Sequence, residues 1–307
     1  METSPGHTGN VWVLHLERQT YIIEERTITG ERVGPEIGFD PLRSIERAVV
    51  DPPRPLTPLD KQFAVGLDGR IYVAVRRTPL NVGGLLETPF EQLVGVGVFD
   101  PASRAWTTLA LPEEPELTSF LPDRVPSTEP VEIFVDRQST LLIRGFRMIE
   151  LPRTFRPQLV RVTGDVGEAF PFVDGDRVSP EMDMGPDGWL YAFLDGSELV
   201  RIDPTTGVST TLCFRPHAML STMTEARELW TGLPSGSMRL GRTPLCGTRT
   251  DREIGVDLPP GIPIDIDSRG NLVVQVGSGY HIVSPDGDVL GSFPDGRPIF
   301  LDRPHRR

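Results

Sequence analysis

Four carboxylates sit on short alternating stretches from which they could meet: Glu132, Glu181, Asp183 and Asp265. Their apolar neighbours recur two residues apart, as Ile133/Val135, Met182/Met184 and Ile264/Ile266, which is the periodicity of a half-buried strand. Ile299/Leu301 repeats the pattern around Phe300. If the apolar partners pack between neighbouring sheets, the alternate residues Gln62, Glu132, Glu181, Asp183, Asp265 and Phe300 turn toward a common axis. Two carboxylates about 6 Å apart at an effective dielectric near 20 repel by roughly 3 kcal/mol. Several of them therefore require arginine partners, retained protons or a cation. All-oxygen donors suit Ca²⁺ or Mg²⁺ better than zinc. The same side chains could instead be spread along a wet channel, bonded to water or to strand amides.

A second chemistry lies in Arg76, Arg77, Arg144, Arg147, Arg153 and Arg156. Guanidinium groups gathered in this way receive a carboxylate or phosphate, unless local acids such as Glu87, Glu91 and Glu150 pair with them first. His15 and His217 lie beside predicted strands, where an imidazole could act as a general base or simply be a surface residue. His7, His281 and His305 suggest no site. There is no glycine-rich phosphate loop, nucleophile elbow or HExxH motif. Cys213 and Cys246 form no CxxC motif and no disulfide framework, so both are expected as ordinary thiols.

The elements that must position these residues are short strands. From Glu181 to Phe214 the chain reads as four strands with turns at Pro186-Asp187-Gly188, Asp195-Gly196 and Asp203 to Gly207. The second-strand pattern recurs at Gly9 to Val13, Gly69 to Val73, Ser139 to Ile143, Gly188 to Ala192, Arg227 to Thr231 and Gly270 to Val274. Each of the last five units has a short alternating strand before it: Gln62 to Val65, Val131 to Val135, Glu181 to Met184, Met219 to Met223, and Ile262 to Ile266. The first unit lacks one, and Pro298 to Asp302 is a first strand with nothing after it. Joining the two predicts a ring closed by the C-terminal strand, which removes the exposed edges of an open array.

Motifs such as Phe99 to Pro112, Arg201 to Phe214 and Ile266 to Val274 make the chain resemble a six-bladed β-propeller of the TolB-like superfamily. Gluconolactonase-like proteins, virginiamycin B lyase and NHL-repeat proteins share that architecture. The resemblance implies one all-β domain over residues 1–307 with four-stranded antiparallel blades. It also implies a metal-assisted hydrolase or lyase, lactonase-like, as one candidate activity. Gluconolactonase-like metal sites use Asn beside acids, whereas Asn10, Asn81 and Asn271 all lie off the central strands, so the ligand set does not carry over. Asp136, Asp267 and Asp302 recur at the ends of first strands, where Asx turns explain them.

Long additions distinguish the first half. Thr78 to Gln92 and Phe146 to Pro157 are second-to-third insertions, while Phe39 to Leu59 and Glu113 to Pro130 link blades, and all four fall on the top face of blades one to three. Loops of that length in a compact domain are usually functional or mobile. The leading expectation is a non-catalytic binding module whose top face holds a protein partner or a small acidic ligand. The formal charge of -12, from 43 acidic and 31 basic residues, argues against a nucleic-acid backbone as partner. No apolar run of about 18 residues suggests a membrane span, and no leader pattern opens the chain, so a cytoplasmic protein is expected.

Overall fold

In the computed structural model, the described residues are 9–17, 20–40, 44, 63–66, 68–77, 92–109, 132–136, 138, 140–148, 155–163, 166–169, 178–185, 187–214, 223, 228–233, 238–247 and 249–301. They form six small antiparallel sheets. Blade one contains β1 (Asn10–Glu17), β2 (Thr20–Thr27) and β3 (Ile37–Phe39). Blade two contains β4 (Phe63–Val65), β5 (Ile71–Arg77), β6 (Gln92–Asp100) and β7 (Ala105–Leu109). Blade three contains β8 (Glu132–Val135), β9 (Leu141–Met148), β10 (Phe155–Thr163) and β11 (Val166–Ala169).

Blade four follows with β12 (Val178–Met184), β13 (Leu190–Leu194), β14 (Glu198–Ile202) and β15 (Ser209–Phe214). Blade five has β16 (Glu228–Leu233), β17 (Arg239–Pro244) and β18 (Arg252–Gly255). Its expected first strand is represented among the described residues by a single bridge, Met223 to Leu229. Blade six has β19 (Ile262–Ile266), β20 (Leu272–Val276), β21 (Gly279–Val283) and β22 (Val289–Phe293). The last strand, β23 (Arg297–Ile299), joins blade one by pairing Trp12 with Ile299 and Leu14 with Arg297. The predicted closure is thus present.

Six apolar layers, one at each blade interface, hold the ring together. Trp12, Tyr21 and Phe39 of blade one meet Phe63, Val73 and Phe99 of blade two. Tyr72, Ala74 and Val98 meet Ile133, Val135 and Leu141. Phe134 and Leu142 meet Met182, Leu190 and Val200, and Tyr191, Phe193 and Leu199 meet Met223, Leu229 and Leu245. Trp230, Leu240 and Ile254 meet Ile266, Leu272 and Val274, and Val273, Ile282 and Phe293 meet Val11, Val13 and Phe300. Each blade buries both faces, so Leu190–Leu194 is apolar and buried at every position rather than alternating.

This arrangement corrects two expectations about direction. Phe300, expected toward the axis, is 4% exposed and packed between blades six and one. Ile264 and Ile266, expected on one face, separate because the register shifts between Pro263 and Asp265. Ile264 packs toward blade one and Ile266 toward blade five.

The turns from first to second strand come in two chemical forms. In blades three and six, Asp136 and Asp267 accept amides across the turn: Gln138 N and Thr140 N at 2.8 Å, and Arg269 N and Asn271 N at 2.9 and 2.7 Å. In blades two and four the same position is Gly66 or Gly185. There a carboxylate two residues later takes over, with Tyr72 Oη donating to Asp68 at 3.1 Å and Tyr191 Oη to Asp187 at 2.7 Å. A Cβ on Gly185 would lie 2.4 Å from the Tyr191 ring and 2.8 Å from Asp187 Oδ1, so the glycine makes room for the pair. Burial first, and then the Asp68 charge, push the Tyr72 phenol up to about 12. The Asx-turn reading of Asp136 and Asp267 is therefore realised, and Asp302 lies outside the described residues.

One further expectation is overturned. Cys213 of β15 and Cys246, in the turn joining β17 to β18, form a disulfide with a Cα–Cα distance of 5.7 Å. They are 33 residues apart in sequence, and only the stacking of blade four on blade five brings them together.

Candidate functional site

The innermost strands present one unpaired edge toward the axis, and their amides on that edge need acceptors. Gly185 N turns to Trp189 O across its hairpin, and Asp267 N to Asn271 O. Strand alternation directs the preceding amides, of Met184 and Ile266, the other way. Asp183 Oδ1 accepts Met184 N at 2.7 Å and Asp265 Oδ1 accepts Ile266 N at 2.9 Å. Two of the four candidate metal-binding carboxylates thus bond to their own strand edge. Asp265 is 6% exposed, and Asp183, opposite in alternation to Met182 and Met184, lies on the blade-five side of β12.

Glu132 is in register with Arg144. Glu181 falls in β12 where the register shifts between Val178 and Met182. Among the described residues, no three or more His, Cys, Asp or Glu gather as a group able to hold an ion. Gln62 lies outside the described residues.

The arginines divide by register. On β5, Ile71, Val73 and Val75 pack toward blade one and Tyr72 and Ala74 toward blade three. The register then shifts between Val75 and Arg76, and Arg76 and Arg77 pair with Leu93 and Gln92 of β6. On β9, Leu141 belongs to the layer with blade two and Leu142 to the layer with blade four. Further along β9, Arg144 is in register with Leu159 of β10. Arg156 of β10 is the direct partner of Arg147. Arg147 and Arg156 are thus direct cross-strand partners in blade three, while Arg76 lies on β5 of blade two. Arg153 lies outside the described residues, as does most of the Thr78 to Gln92 insertion. The insertion at Phe146 to Pro157 is in good part hairpin, since Phe146 pairs with Pro157 and Met148 with Phe155.

His15 of β1 is half-buried and in register with Ile22, and its Nδ1 is buried with no hydrogen-bond partner. His217 lies outside the described residues. His281 Nδ1 meets Ser292 Oγ at 2.9 Å on the outer strands of blade six, and burial lowers its pKa.

The most buried charge among the described residues is one that no sequence motif singled out. Glu24 is fully buried in β2; Arg26 Nε donates to Oε1 at 2.7 Å, and Arg32 Nε lies 2.6 Å from Oε2. The next residue, Glu25, accepts from Asn10 Nδ2 at 2.8 Å and pairs with Arg104 of blade two. Adjacent acids on one strand thus point to opposite faces, each toward its own arginines. The available signal was Glu-Glu-Arg inside an otherwise apolar strand.

No family model matches the chain, and no curated protein matches it. Among solved structures, AztD from Citrobacter koseri is similar at 9% identity, covering 94% of this chain and 96% of that one with a TM-score of 0.38. YCF48 from Cyanidioschyzon merolae is similar at 12% identity, covering 98% and 89%, TM-score 0.40. BamB from Moraxella catarrhalis is similar at 12% identity, covering 91% and 86%, TM-score 0.36. Likeness at that level carries no functional argument. The chain is a six-bladed β-propeller on its own strand pairing and its six closed layers.

Proposed function

We propose that this propeller is a non-catalytic binding module that receives an acidic segment of a protein partner on the top of the interface between blades two and three. The observation that carries the reading is the cross-strand pairing of Arg147 with Arg156 in blade three, with Arg76 near the end of β5 in the neighbouring blade two. Like charges directly opposite on a sheet are unfavourable by a few tenths of a kcal/mol to about 1 kcal/mol. A carboxylate bound between them reverses that sign and gains from fork-shaped guanidinium donors. The hairpins that carry these residues are also long. β5 and β9 run for 7 and 8 residues where β13 and β20 run for 5. The additional two or three residues project about 7–10 Å beyond the blade-four level.

A fluorescent hexaglutamate peptide tests the reading in low salt. The net charge of -12 repels such a peptide everywhere except at a local positive field, so binding requires one. Arg147→Glu with Arg156→Glu should weaken binding at least tenfold and leave the melting temperature within a few degrees. No binding by the unsubstituted protein, or equal binding by the variant, would refute the proposal.

A further inference from the structure

The disulfide joins the outermost strand of blade four to blade five, across the layer formed by Tyr191, Phe193, Leu199, Met223, Leu229 and Leu245. The bond thus links the two blades at the outer rim of their shared layer. Cys213 packs against the apolar layer, while Cys246 is exposed on its turn. A thiol in solution reaches the Cys246 sulfur directly.

We propose that the Cys213–Cys246 bond is a redox-dependent staple of the seam between blades four and five, and that the protein works in an oxidising compartment rather than in the cytoplasm suggested by its sequence. Exposed disulfides persist where no dithiol pool reduces them. In the reducing direction, a dithiol's thiolate attacks Sγ of Cys246. The Cys213 sulfur leaves with the bonding electron pair and takes up a proton. The reductant's second thiolate then displaces Cys246 from the mixed disulfide, and Cys246 is protonated in turn. Two electrons and two protons pass to the protein, and the reductant leaves as a cyclic disulfide. The ring keeps its five other seams, so the loosening is local to β15 through β18.

The test uses the full chain purified without reductant. Alkylation with iodoacetamide under denaturing conditions should add nothing to the intact mass before dithiothreitol treatment and two adducts after it. Reduction should lower the melting temperature by about 6 °C, from the loop closed by the bond and the unfolding entropy of a chain this size. Hydrogen exchange should quicken in β15 to β18 and stay unchanged in β1 to β5. Cys213→Ser with Cys246→Ser should melt like the reduced protein and ignore dithiothreitol. Two alkylated cysteines without reductant, a melting temperature unmoved by reduction, or a uniform rise of exchange over all six blades would each overturn the proposal.

Discussion

Blades two and three differ from blades four and six in the length of their second-to-third hairpins. The layers between blades are chemically alike around the ring, each filled with buried aliphatic and aromatic side chains. The second-to-third hairpins are not alike. Blades four and six turn after strands of 5 residues, with Asp195-Gly196 and Gly277 at positive φ making the turns. Blades two and three carry their strands further and place arginine in the extension. Packing between blades therefore specifies the ring, and hairpin length is the variable left free for function.

The largest expected effect breaks the part shared by both regions. Deleting Arg297 to Arg307 removes β23 and takes the fully buried Ile299 and the nearly buried Phe300 from blade one. Such side chains are worth about 1.5–3 kcal/mol each, and the loss also bares the edge of β1 to other molecules. The truncated chain should aggregate or lose its cooperative melt on heating in circular dichroism. A melting temperature equal to that of the full chain would mean that the ring does not depend on this closure.

A smaller loss should follow Glu24→Ala in blade one. The substitution leaves Arg26 and Arg32 without their buried partner. Removing one member of a buried pair costs several kcal/mol, here reduced to roughly 2 kcal/mol because Arg32 is half exposed and can return to water. The exposed pair Arg239 and Glu253 provides the contrast, since Glu253→Ala should change stability by less than about 1 kcal/mol. Equal effects in urea titrations would remove the distinction.

Much of this plan was legible in the sequence. The ring closure followed from an orphan strand at one end and a missing strand at the other. The Asx turns at Asp136 and Asp267 followed from their place at strand ends. What was not legible depended on which face a residue occupies. A period of two identifies alternation but cannot tell the axis from a neighbouring blade, and a propeller blade has apolar neighbours on both sides. Phe300 was misdirected for that reason, and Ile264 because a one-residue bulge reverses every position after it. The disulfide depended on the stacking of two blades, which no spacing between cysteines encodes. Glu24 was missed because charge within a strand does not reveal burial, and its pairing with Arg32 depends on the turn after β2.

Substitutions at the turns compare blade four with blade two. Gly185→Ala should cost about 1–3 kcal/mol through its contact with the Tyr191 ring. Tyr72→Phe in blade two should lose about 1 kcal/mol and flatten one part of the alkaline profile. The folded phenol sits near 12 against a reference of 10.0, so its contribution is whole below pH 10 and fades as pH rises toward 12. A wild-type profile indistinguishable from that of Tyr72→Phe between pH 10 and 12 would count against the Asp68 contact.

The smallest effect concerns the central strands. If Asp183 and Asp265 serve their own strand amides, Asp→Asn keeps the acceptor and should be nearly neutral, whereas Asp→Ala should cost about 1 kcal/mol each. A calcium-dependent melting temperature abolished by Asn would instead return these carboxylates to an ion and to a metal-assisted hydrolase or lyase.

The contrast between hairpins is tested most directly by exchanging one for the other. Replacing the chain between Val75 and Gly95, and between Gly145 and Gln158, with the Asp195-Gly196-Ser197 turn of blade four should leave the ring folded, since shortening a loop costs little closure entropy. Fluorescence anisotropy with the hexaglutamate peptide should then show binding lost in the trimmed protein, with its melting temperature within a few degrees of the original. Undiminished binding by the folded, trimmed protein would contradict the assignment of recognition to blades two and three.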